Sequence, residues 1–335
     1  MKSVITGVGH YEPQKIVTND HIVEIYEKRN FLSKTPEEII KTCKKAWFHE
    51  RRWVSENEDV RTMATQSVKN LVQRYWWDII KNLDDIYLWT FSGGYILPSV
   101  SAIVAKDIED MFDITFSGYT ADISNACPSG LTALTMADNA IQAGKAKKIL
   151  VIWSDAMSKL NLWENSLMLF GDAAGAVVVE KDNNFTWYGI QGEYSKTFPQ
   201  YFSDLYYQNE LSANNEDLSS WIFTMNGQNV YHVWVNTVTE MIQEYIEKNN
   251  LIINDFNYII PHQANKRMLD KIWNNLWYDN EKILKTIAEN GNTSSASPFL
   301  TLSKHQDTLQ HWDRILLLSL WAWFNVTLID VIWWH

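Results

Sequence analysis

The stretch that decides the fold is residues 122–134, Asp-Ile-Ser-Asn-Ala-Cys-Pro-Ser-Gly-Leu-Thr-Ala-Leu. Residues 119–124 predict the end of a strand, and the apolar spacing after Pro128 predicts a helix. Because proline favours the first position of a helix, we expect Cys127 to be the N-cap. The partial positive charge at a helix N-terminus lowers the pKa of a thiol. This setting indicates a nucleophile, whereas a lone cysteine is more often a buried structural thiol.

The composition bounds the class of protein. The chain has 335 residues, of which 46% are hydrophobic and 21% are charged, enough for two domains or one large α/β unit. Its formal net charge of -11 argues against nucleic acid and anionic membranes as partners. The two distant cysteines, Cys43 and Cys127, form no disulfide framework, so we expect a cytoplasmic protein. No stretch reaches the roughly 18 apolar residues of a spanning helix.

The order of the predicted elements indicates the fold class. Residues 149–153, Ile-Leu-Val-Ile-Trp, are fully apolar, which is typical of a parallel strand covered on both faces. Strands alternate with helices in both halves of the chain, and this order predicts an α/β fold with largely parallel sheets. The more polar residues 182–221 are predicted to form a boundary or loops over a cleft. We therefore expect an N-terminal half over residues 1–181 and a C-terminal half over residues 182–335.

Two residues of the C-terminal half extend the chemistry of the cysteine. His262 follows a predicted strand and a proline, so its ring is expected to be held in place, although a lone histidine is more often structural. Asn292 lies in a loop of Gly, Thr and Ser, where asparagine usually forms a turn. Together with a cysteine these residue types suit acyl chemistry. The thiol takes an acyl group as a thioester, and His and Asn donate hydrogen bonds to the carbonyl of a second thioester as an enolate forms.

On its motifs the chain resembles the thiolase superfamily, and within it the β-ketoacyl-acyl-carrier-protein synthase III group. The motifs run nearly end to end and are Gly7-Val-Gly9, Phe48-His-Glu-Arg-Arg52, Pro98-Ser99, Asn125-Ala-Cys-Pro-Ser-Gly130, Phe170-Gly-Asp-Ala-Ala-Gly175, Pro261-His-Gln-Ala-Asn265 and Asn290-Gly-Asn-Thr-Ser294. The resemblance implies a thiolase-like, five-layered αβαβα fold made of two similar halves, and a homodimer. It implies no cofactor and no metal.

The resemblance also implies roles for single residues. Cys127 would be the acylated nucleophile, and His262 and Asn292 would assist decarboxylation and condensation. The oxyanion hole would combine the amide of Cys127 with the position of Trp323. Lys266 and Arg267 lie where the family docks its acidic carrier protein, although a solvated helix face is the alternative.

The reaction implied by the resemblance is a decarboxylating Claisen condensation. An acyl group from acyl-CoA or acyl carrier protein would load on the cysteine and then condense with malonyl carrier protein, in fatty acid or related lipid and polyketide biosynthesis. One alternative is acyl transfer or thioester hydrolysis on the same fold. Another is a non-catalytic subunit of a heterodimeric synthase. A hydroxymethylglutaryl-type synthase would need a general-acid glutamate, and no matching motif supplies one.

The chain departs from the family in two places. Residues 36–39, Pro-Glu-Glu-Ile, replace Asp-Glu-Trp-Ile, which leaves the acyl primer open. The chain also has 17 Trp and only 13 Gly. Glycine permits positive φ and close approach of backbones, whereas an indole would overfill such a place. One interpretation is a genuine Trp-rich paralogue, active or inactive; the hypothesis we prefer is that UGA codons specify glycine at several of these positions. The tryptophans at glycine-type places are Trp47, Trp89, Trp153, Trp312, Trp321 and Trp323.

Overall fold

Two central β-sheets and the helices that cover them make up the fold. The computed structural model describes residues 2–31, 33–95, 97–160, 167–183, 187–209, 221–321 and 325–334, with the backbone alone for 205–209, 221–225, 228 and 321. The helices are α1 (Asn19–Lys28), α2 (Pro36–Ala46), α3 (Val60–Tyr75), α4 (Val100–Phe112), α5 (Ser129–Gln142), α6 (Gly227–Lys248), α7 (Lys266–Asn275), α8 (Ile287–Asn290) and α9 (Ser297–His305). The strands are β1 (Lys2–Tyr11), β2 (Lys15–Thr18), β3 (Glu50–Trp53), β4 (Asp85–Trp89), β5 (Tyr119–Asp122), β6 (Lys148–Asp155), β7 (Ala173–Asp182), β8 (Gly189–Thr197), β9 (Leu205–Asn209), β10 (Trp221–Met225), β11 (Tyr258–Pro261), β12 (Arg314–Trp321) and β13 (Asn325–Ile332).

Both central sheets are mixed rather than largely parallel. The five-stranded sheet has the order β1-β7-β6-β4-β5, in which β4 runs parallel to β5 and β6 while β7 is antiparallel to both of its neighbours. The four-stranded sheet has the order β11-β12-β13-β8, and only β11 and β12 are parallel. The parallel pairs leave β5 at one edge of the first sheet and bring the ends of β6 and β11 close to the candidate site.

Alternating side chains on the central strands bind the sheets into layers. In β6, Ile149 and Val151 pack with α5 and α9, while Leu150 and Ile152 pack with α3 and α4 on the opposite face. Strand β12 alternates in the same way between α5 and α9 on one face and α6 and α7 on the other. The layers are therefore α3 with α4, the first sheet, α5 with α9, the second sheet, and α6 with α7. This order confirms the predicted five-layered αβαβα fold.

Local sequence signals place several helix starts correctly. The Thr35 hydroxyl accepts a hydrogen bond from the Glu38 N–H (3.3 Å), and the Glu38 carboxylate accepts from the Thr35 N–H (2.9 Å). This capping box, with Pro36 at the first helical position, begins α2 where the sequence predicts it. Asn226 caps α6 through its side chain alone, which accepts from the Asn229 N–H (3.3 Å). These starts are predictable because each cap joins residues only three apart.

The polar stretch after β7 contains more regular structure than expected. Strand β8 falls within residues 182–221 and forms an edge of the second sheet by pairing with β13. The expectation of a boundary or loops is therefore wrong for β8, whose polar outward-facing residues obscure its apolar alternation. The division of the chain between residues 181 and 182 falls at the last residues of β7 and stays a prediction.

Tryptophan occupies backbone positions that favour glycine. Trp47, Trp76, Trp277 and Trp312 have φ angles of 68°, 67°, 56° and 75°. Asn and Asp account for four other positive-φ residues, and their short polar side chains tolerate this region, whereas bulky side chains are outliers there. The structure therefore shows a glycine-type conformation at two of the six predicted positions, Trp47 and Trp312. Trp76 and Trp277 have the same type of conformation although the sequence analysis did not name them.

Trp89 and Trp153 lie in paired strands rather than turns, opposite each other in β4 and β6. Trp153 is fully buried and stacks on Phe299 with ring centroids 3.5 Å apart. Its Nε1 has no hydrogen-bond partner among the described residues. A Cβ added to Gly130 would lie 2.1 Å from that nitrogen, so α5 can pack on β6 only with glycine at this position. The side chain of Trp321 and the whole of Trp323 fall outside the described residues.

Candidate active site

Cys127 lies just before α5, at the junction between the two sheets. The N-cap of α5 is Pro128, so the expectation that Cys127 itself caps the helix is wrong by one residue. The thiol is buried, with 1% of the residue exposed, and burial raises its pKa well above the ordinary value. The predicted lowering of the thiol pKa is therefore wrong, because the loss of hydration outweighs the partial charge of the helix terminus.

Contacts with the C-terminal half hold the cysteine in place. The Ser319 hydroxyl in β12 donates to the carbonyl oxygen of Cys127 (2.9 Å), which ties Cys127 to the second sheet. The Cys127 Sγ lies 3.5 Å from the Ser294 Oγ, in the loop that precedes α9. Both contacts join residues far apart in the chain. The cysteine therefore faces the loop that carries Asn292.

His262 follows β11 and is completely buried. Its N–H donates to the carbonyl oxygen of Leu318 (2.7 Å), and its Nδ1 lies 2.6 Å from the Ser297 Oγ. The Nε2 atom has no hydrogen-bond partner among the described residues. Burial lowers the pKa of His262 to about 3, so the ring is neutral at neutral pH. One ring nitrogen is thus held by a hydroxyl, and the other remains available to a substrate.

Asn292 is held through its backbone and one side of its carboxamide. Its N–H donates to the carbonyl oxygen of Leu169 (2.9 Å), and its carbonyl accepts from the Gly171 N–H (3.0 Å). The Asn292 Oδ1 accepts from the Ser294 N–H (2.9 Å), which fixes the orientation of the amide. Since the oxygen is occupied in this way, the NH₂ group is the end of the carboxamide that can serve a substrate.

Ser294 connects the three groups that the sequence singles out. Its hydroxyl contacts Cys127, its N–H donates to Asn292, and its carbonyl accepts from the Ser297 hydroxyl, whose oxygen in turn contacts the His262 Nδ1. Its φ is 53°, a left-handed conformation that turns these groups toward different partners. Sequence reasoning missed Ser294 as a site residue, although Ser294 ends the family motif that begins at Asn290. The structure thereby brings Cys127, His262 and Asn292 into one buried site.

Two buried carboxylates beside the site also escaped the sequence analysis. Asp155, at the end of β6, accepts from the Phe91 N–H (2.6 Å) and the Ser295 hydroxyl (3.0 Å), and burial raises its pKa. Burial likewise raises the pKa of Asp172 to about 6. The only sequence signal for Asp155 is its position directly after an apolar strand.

The predicted docking residues lie in the first turn of α7. Arg267 is exposed, with its guanidinium 5.5 Å from the centre of the Tyr231 ring. Lys266 is partly buried, pairs with Asp270, and lies 5.5 Å from the Trp47 ring. Trp323, the predicted second half of the oxyanion hole, lies outside the described residues.

Two features of other protein classes are absent from the part of the chain that the structure describes. Among the described residues, no cluster of His, Cys, Asp and Glu has the arrangement to hold a metal ion. No described helix combines the length and apolar character that crossing a bilayer requires.

Comparison with known proteins identifies the family. The family model for 3-oxoacyl-[acyl-carrier-protein] synthase III matches residues 121–191, and that for its C-terminal region matches residues 246–322. The first match contains Cys127, and the second contains His262 and Asn292. A β-ketoacyl-[acyl-carrier-protein] synthase III of Halalkalibacterium halodurans is 30% identical over 94% of this chain and 92% of its own length. The chain belongs to the β-ketoacyl-[acyl-carrier-protein] synthase III family.

Further matches extend over nearly the whole chain. A family member from Methylococcus capsulatus is 31% identical over 88% of this chain and 87% of its own length. The crystal structure of the Thermus thermophilus synthase III has a TM-score of 0.84 and 26% identity, and the match covers 98% of this chain and 99% of that one. The protein is therefore a thiolase-like acyltransferase of the 3-oxoacyl synthase III type.

Proposed function

We propose that this synthase III condenses an acyl group held on Cys127 with a malonyl group delivered by an acyl carrier protein. The observation that carries the proposal is the meeting of Cys127, His262 and Asn292 around Ser294. Cys127 follows β5 of the first sheet and His262 follows β11 of the second sheet, while Asn292 lies in the loop between α8 and α9. A thiol, an imidazole and a carboxamide in one buried site suit thioester exchange followed by enolate formation.

Loading begins with attack of the cysteine sulfur on an acyl thioester. The oxyanion formed in this step needs N–H donors, and the N–H of Cys127 is proposed as one of them. Its support is the position of Cys127 beside the N-terminus of α5, where unpaired N–H groups converge. The position of Trp323 is proposed as the second donor. The acyl donor is an acyl-CoA or an acyl carrier protein.

Condensation requires hydrogen-bond donors for the malonyl thioester carbonyl. The Ser297 hydroxyl donates to the carbonyl oxygen of Ser294 (3.0 Å), and its Oγ lies 2.6 Å from the His262 Nδ1. If the hydroxyl turns its hydrogen to Nδ1 when substrate binds, the ring proton of His262 lies on Nε2. In that tautomer the Nε2–H and the NH₂ group of Asn292 are proposed to stabilise the enolate that forms when CO₂ leaves. The enolate attacks the acyl-cysteine and releases a β-ketoacyl carrier protein.

A basic surface near the site suits an acidic carrier protein. Cations in the first turn of a helix oppose its dipole at a cost of about 0.3–1 kcal/mol, which is comparable to what a surface pair such as Lys266 with Asp270 contributes, so helix stability gives no net reason for this placement. Helix α2 contacts α7 and adds the exposed Lys44 and Lys45. These four residues are proposed as the docking surface on a chain whose net charge is -11. Lys266→Glu and Arg267→Glu should raise KM for malonyl carrier protein while kcat changes little, and Lys145→Glu, beyond the far end of α5, is the matched control.

The edge strand β5 supports a homodimer. None of its four residues is fully buried, and 66% of Tyr119 is exposed. The strand pairs with β4 on one side only. An unpaired strand edge is a template for pairing with another chain. Pairing of β5 with its copy would extend both five-stranded sheets into one. Sedimentation at two protein concentrations tests this, and a monomer at both would contradict it.

Product analysis tests the reaction. The protein is incubated with labelled acyl-CoA and malonyl carrier protein, and the β-ketoacyl product is measured by mass spectrometry. Cys127→Ala should abolish the product, whereas Cys43→Ala, which removes the other buried thiol, should retain it. A Cys127→Ala variant that condenses as fast as the parent would disprove the mechanism. Loading followed only by free acid or acyl transfer would instead assign hydrolase or transferase activity.

A further inference from the structure

Arg51 in β3 is a fully buried cation with no carboxylate partner among the described residues. Its Nη2 donates to the carbonyl oxygen of Met168 (2.6 Å) and lies 3.6 Å from the Cys43 Sγ. Its Nη1 donates to the Asn19 Oδ1 (2.8 Å) and lies 3.4 Å from the carbonyl oxygen of Val17. The guanidinium therefore joins β2, α1 and α2 to the segment that carries Met168.

The segment after Met168 pairs with the backbone of Asn292. The carbonyl oxygen of Leu169 accepts from the Asn292 N–H (2.9 Å), and the Gly171 N–H donates to the Asn292 carbonyl oxygen (3.0 Å). These two hydrogen bonds form a parallel bridge that fixes the backbone of Asn292. Arg51 thus holds the carbonyl group of the residue directly before this bridge.

The aliphatic stem of Arg51 lies against both segments of the bridge. A Cβ added to Gly171 would lie 3.2 Å from the Arg51 Cβ, and one added to Gly291 would lie 3.4 Å from it. Gly291 directly precedes Asn292 and has a φ of 63°, which glycine adopts without strain. The backbone on both sides of the bridge therefore packs closely on one side chain.

We propose that Arg51 is a positioning residue that holds the carboxamide of Asn292 in place for condensation. Its stem supports the backbone of both bridged segments, and its guanidinium fixes the segment that bonds to Asn292. The Ser294 N–H orients the Oδ1 of that carboxamide but does not hold the other segment. Arg51 contacts neither Cys127 nor His262 among the described hydrogen bonds, so acyl loading should not depend on it. The proposal rests on the proposed function.

Arg51→Met tests the proposal, and Arg52→Met is the matched control. Methionine keeps an unbranched, flexible side chain but has no hydrogen-bond donor. Arg52 is the next residue of β3, so its side chain points to the opposite face of the strand, where it is 25% exposed and pairs with Glu50. Each full-length variant is first loaded with a short-chain acyl-CoA and then mixed with malonyl carrier protein. Intact mass after acid quench gives the loading rate and the condensation rate separately.

A role through Asn292 predicts a selective loss of condensation. In Arg51→Met, condensation at saturating malonyl carrier protein should slow by about tenfold, the order of effect expected for one lost hydrogen bond, while loading and KM stay within about threefold. Arg52→Met should keep the parental condensation rate within about twofold. Asn292→Ala combined with Arg51→Met should condense no more slowly than Asn292→Ala alone, because no carboxamide is left to position.

Arg51→Lys keeps the buried charge and one donor group but not the planar fork, and it replaces Arg51→Met if that variant does not fold. It should show the same selective loss. Parental condensation in either variant, or losses at positions 51 and 292 that multiply in the double variant, would refute the role. Equal slowing of loading and condensation would refute it as well, since Arg51 would then support the whole site. A parent protein that forms no β-ketoacyl product would refute the proposed function, and with it a role for Arg51 in condensation.

Discussion

Trp76 offers the sharpest test of whether tryptophan belongs at the left-handed positions of this fold. Its φ of 67° and ψ of 164° lie in a region that is essentially restricted to glycine and costs other residues about 1–3 kcal/mol. The next residue, Trp77, begins a short 3₁₀ helix (Trp77–Ile80) and is not among the residues with positive φ. Two adjacent tryptophans, 79% and 49% exposed, therefore differ in backbone conformation.

We expect glycine and alanine to rank in opposite order at these neighbours. Both replacements remove the indole and its contacts, so their difference isolates the backbone. Trp76→Gly should be more stable than Trp76→Ala by about 1–2 kcal/mol, because the strain relieved exceeds the entropy cost of glycine, about 0.5–1 kcal/mol. At position 77 that entropy cost acts alone, so Trp77→Ala should be more stable than Trp77→Gly by about 0.5–1 kcal/mol.

Urea denaturation of the four variants measures these free energies of unfolding from the midpoints, provided that the slopes agree. A Trp76→Ala variant as stable as Trp76→Gly would refute the reasoning and remove the same argument at Trp47, Trp277 and Trp312. The intact mass of the protein from its native source is an independent measurement. A mass that matches all 17 Trp would show that none of them is glycine.

Three further predictions concern stability and the thiol. Although burial opposes it, hydrogen bonds and the Lys304 ammonium lower the pKa of Glu12 from 4.5 to about 2. A depressed carboxyl pKa stabilises the fold above pH 4.5, and this stabilisation disappears as the pH falls toward 2. Glu12→Gln should therefore lower the free energy of unfolding by about 3 kcal/mol at pH 7 and by little at pH 2. Urea denaturation at both pH values measures this difference. Gly130→Ala should destabilise the parent by more than about 3 kcal/mol, because the added Cβ meets the Trp153 indole. The same change should destabilise the Trp153→Gly variant much less. A double-mutant cycle measures the coupling between the two positions. Because burial raises the pKa of the Cys127 thiol, iodoacetamide should label it slowly at pH 7 and faster above pH 9. Mass spectrometry follows the labelling, and rapid labelling at pH 7 would contradict this prediction.

The sequence by itself determined local elements of the fold and predicted the reacting groups. The capping box of Thr35 and Glu38 begins α2 through bonds between residues three apart, so a local pattern is sufficient to predict it. The ordered motifs around Cys127, His262 and Asn292 pointed to the family that the comparisons then established. The catalytic roles of these three residues stay predictions. Strand β8 was not predicted, because a half-exposed edge strand shows only a weak alternation of apolar and polar residues.

Only the tertiary structure decided the electrostatics of the site. The position of Cys127 beside a helix start predicts a lowered thiol pKa, yet packing by both halves of the chain buries the sulfur and raises it. The partner of that sulfur, Ser294, is 167 residues away in sequence, and Asp155 ends a different strand. Local patterns encode caps and periods because those depend on near neighbours. Desolvation and long-range hydrogen bonds depend on which distant segments pack against each other in the five layers. The sequence of one segment does not contain that information.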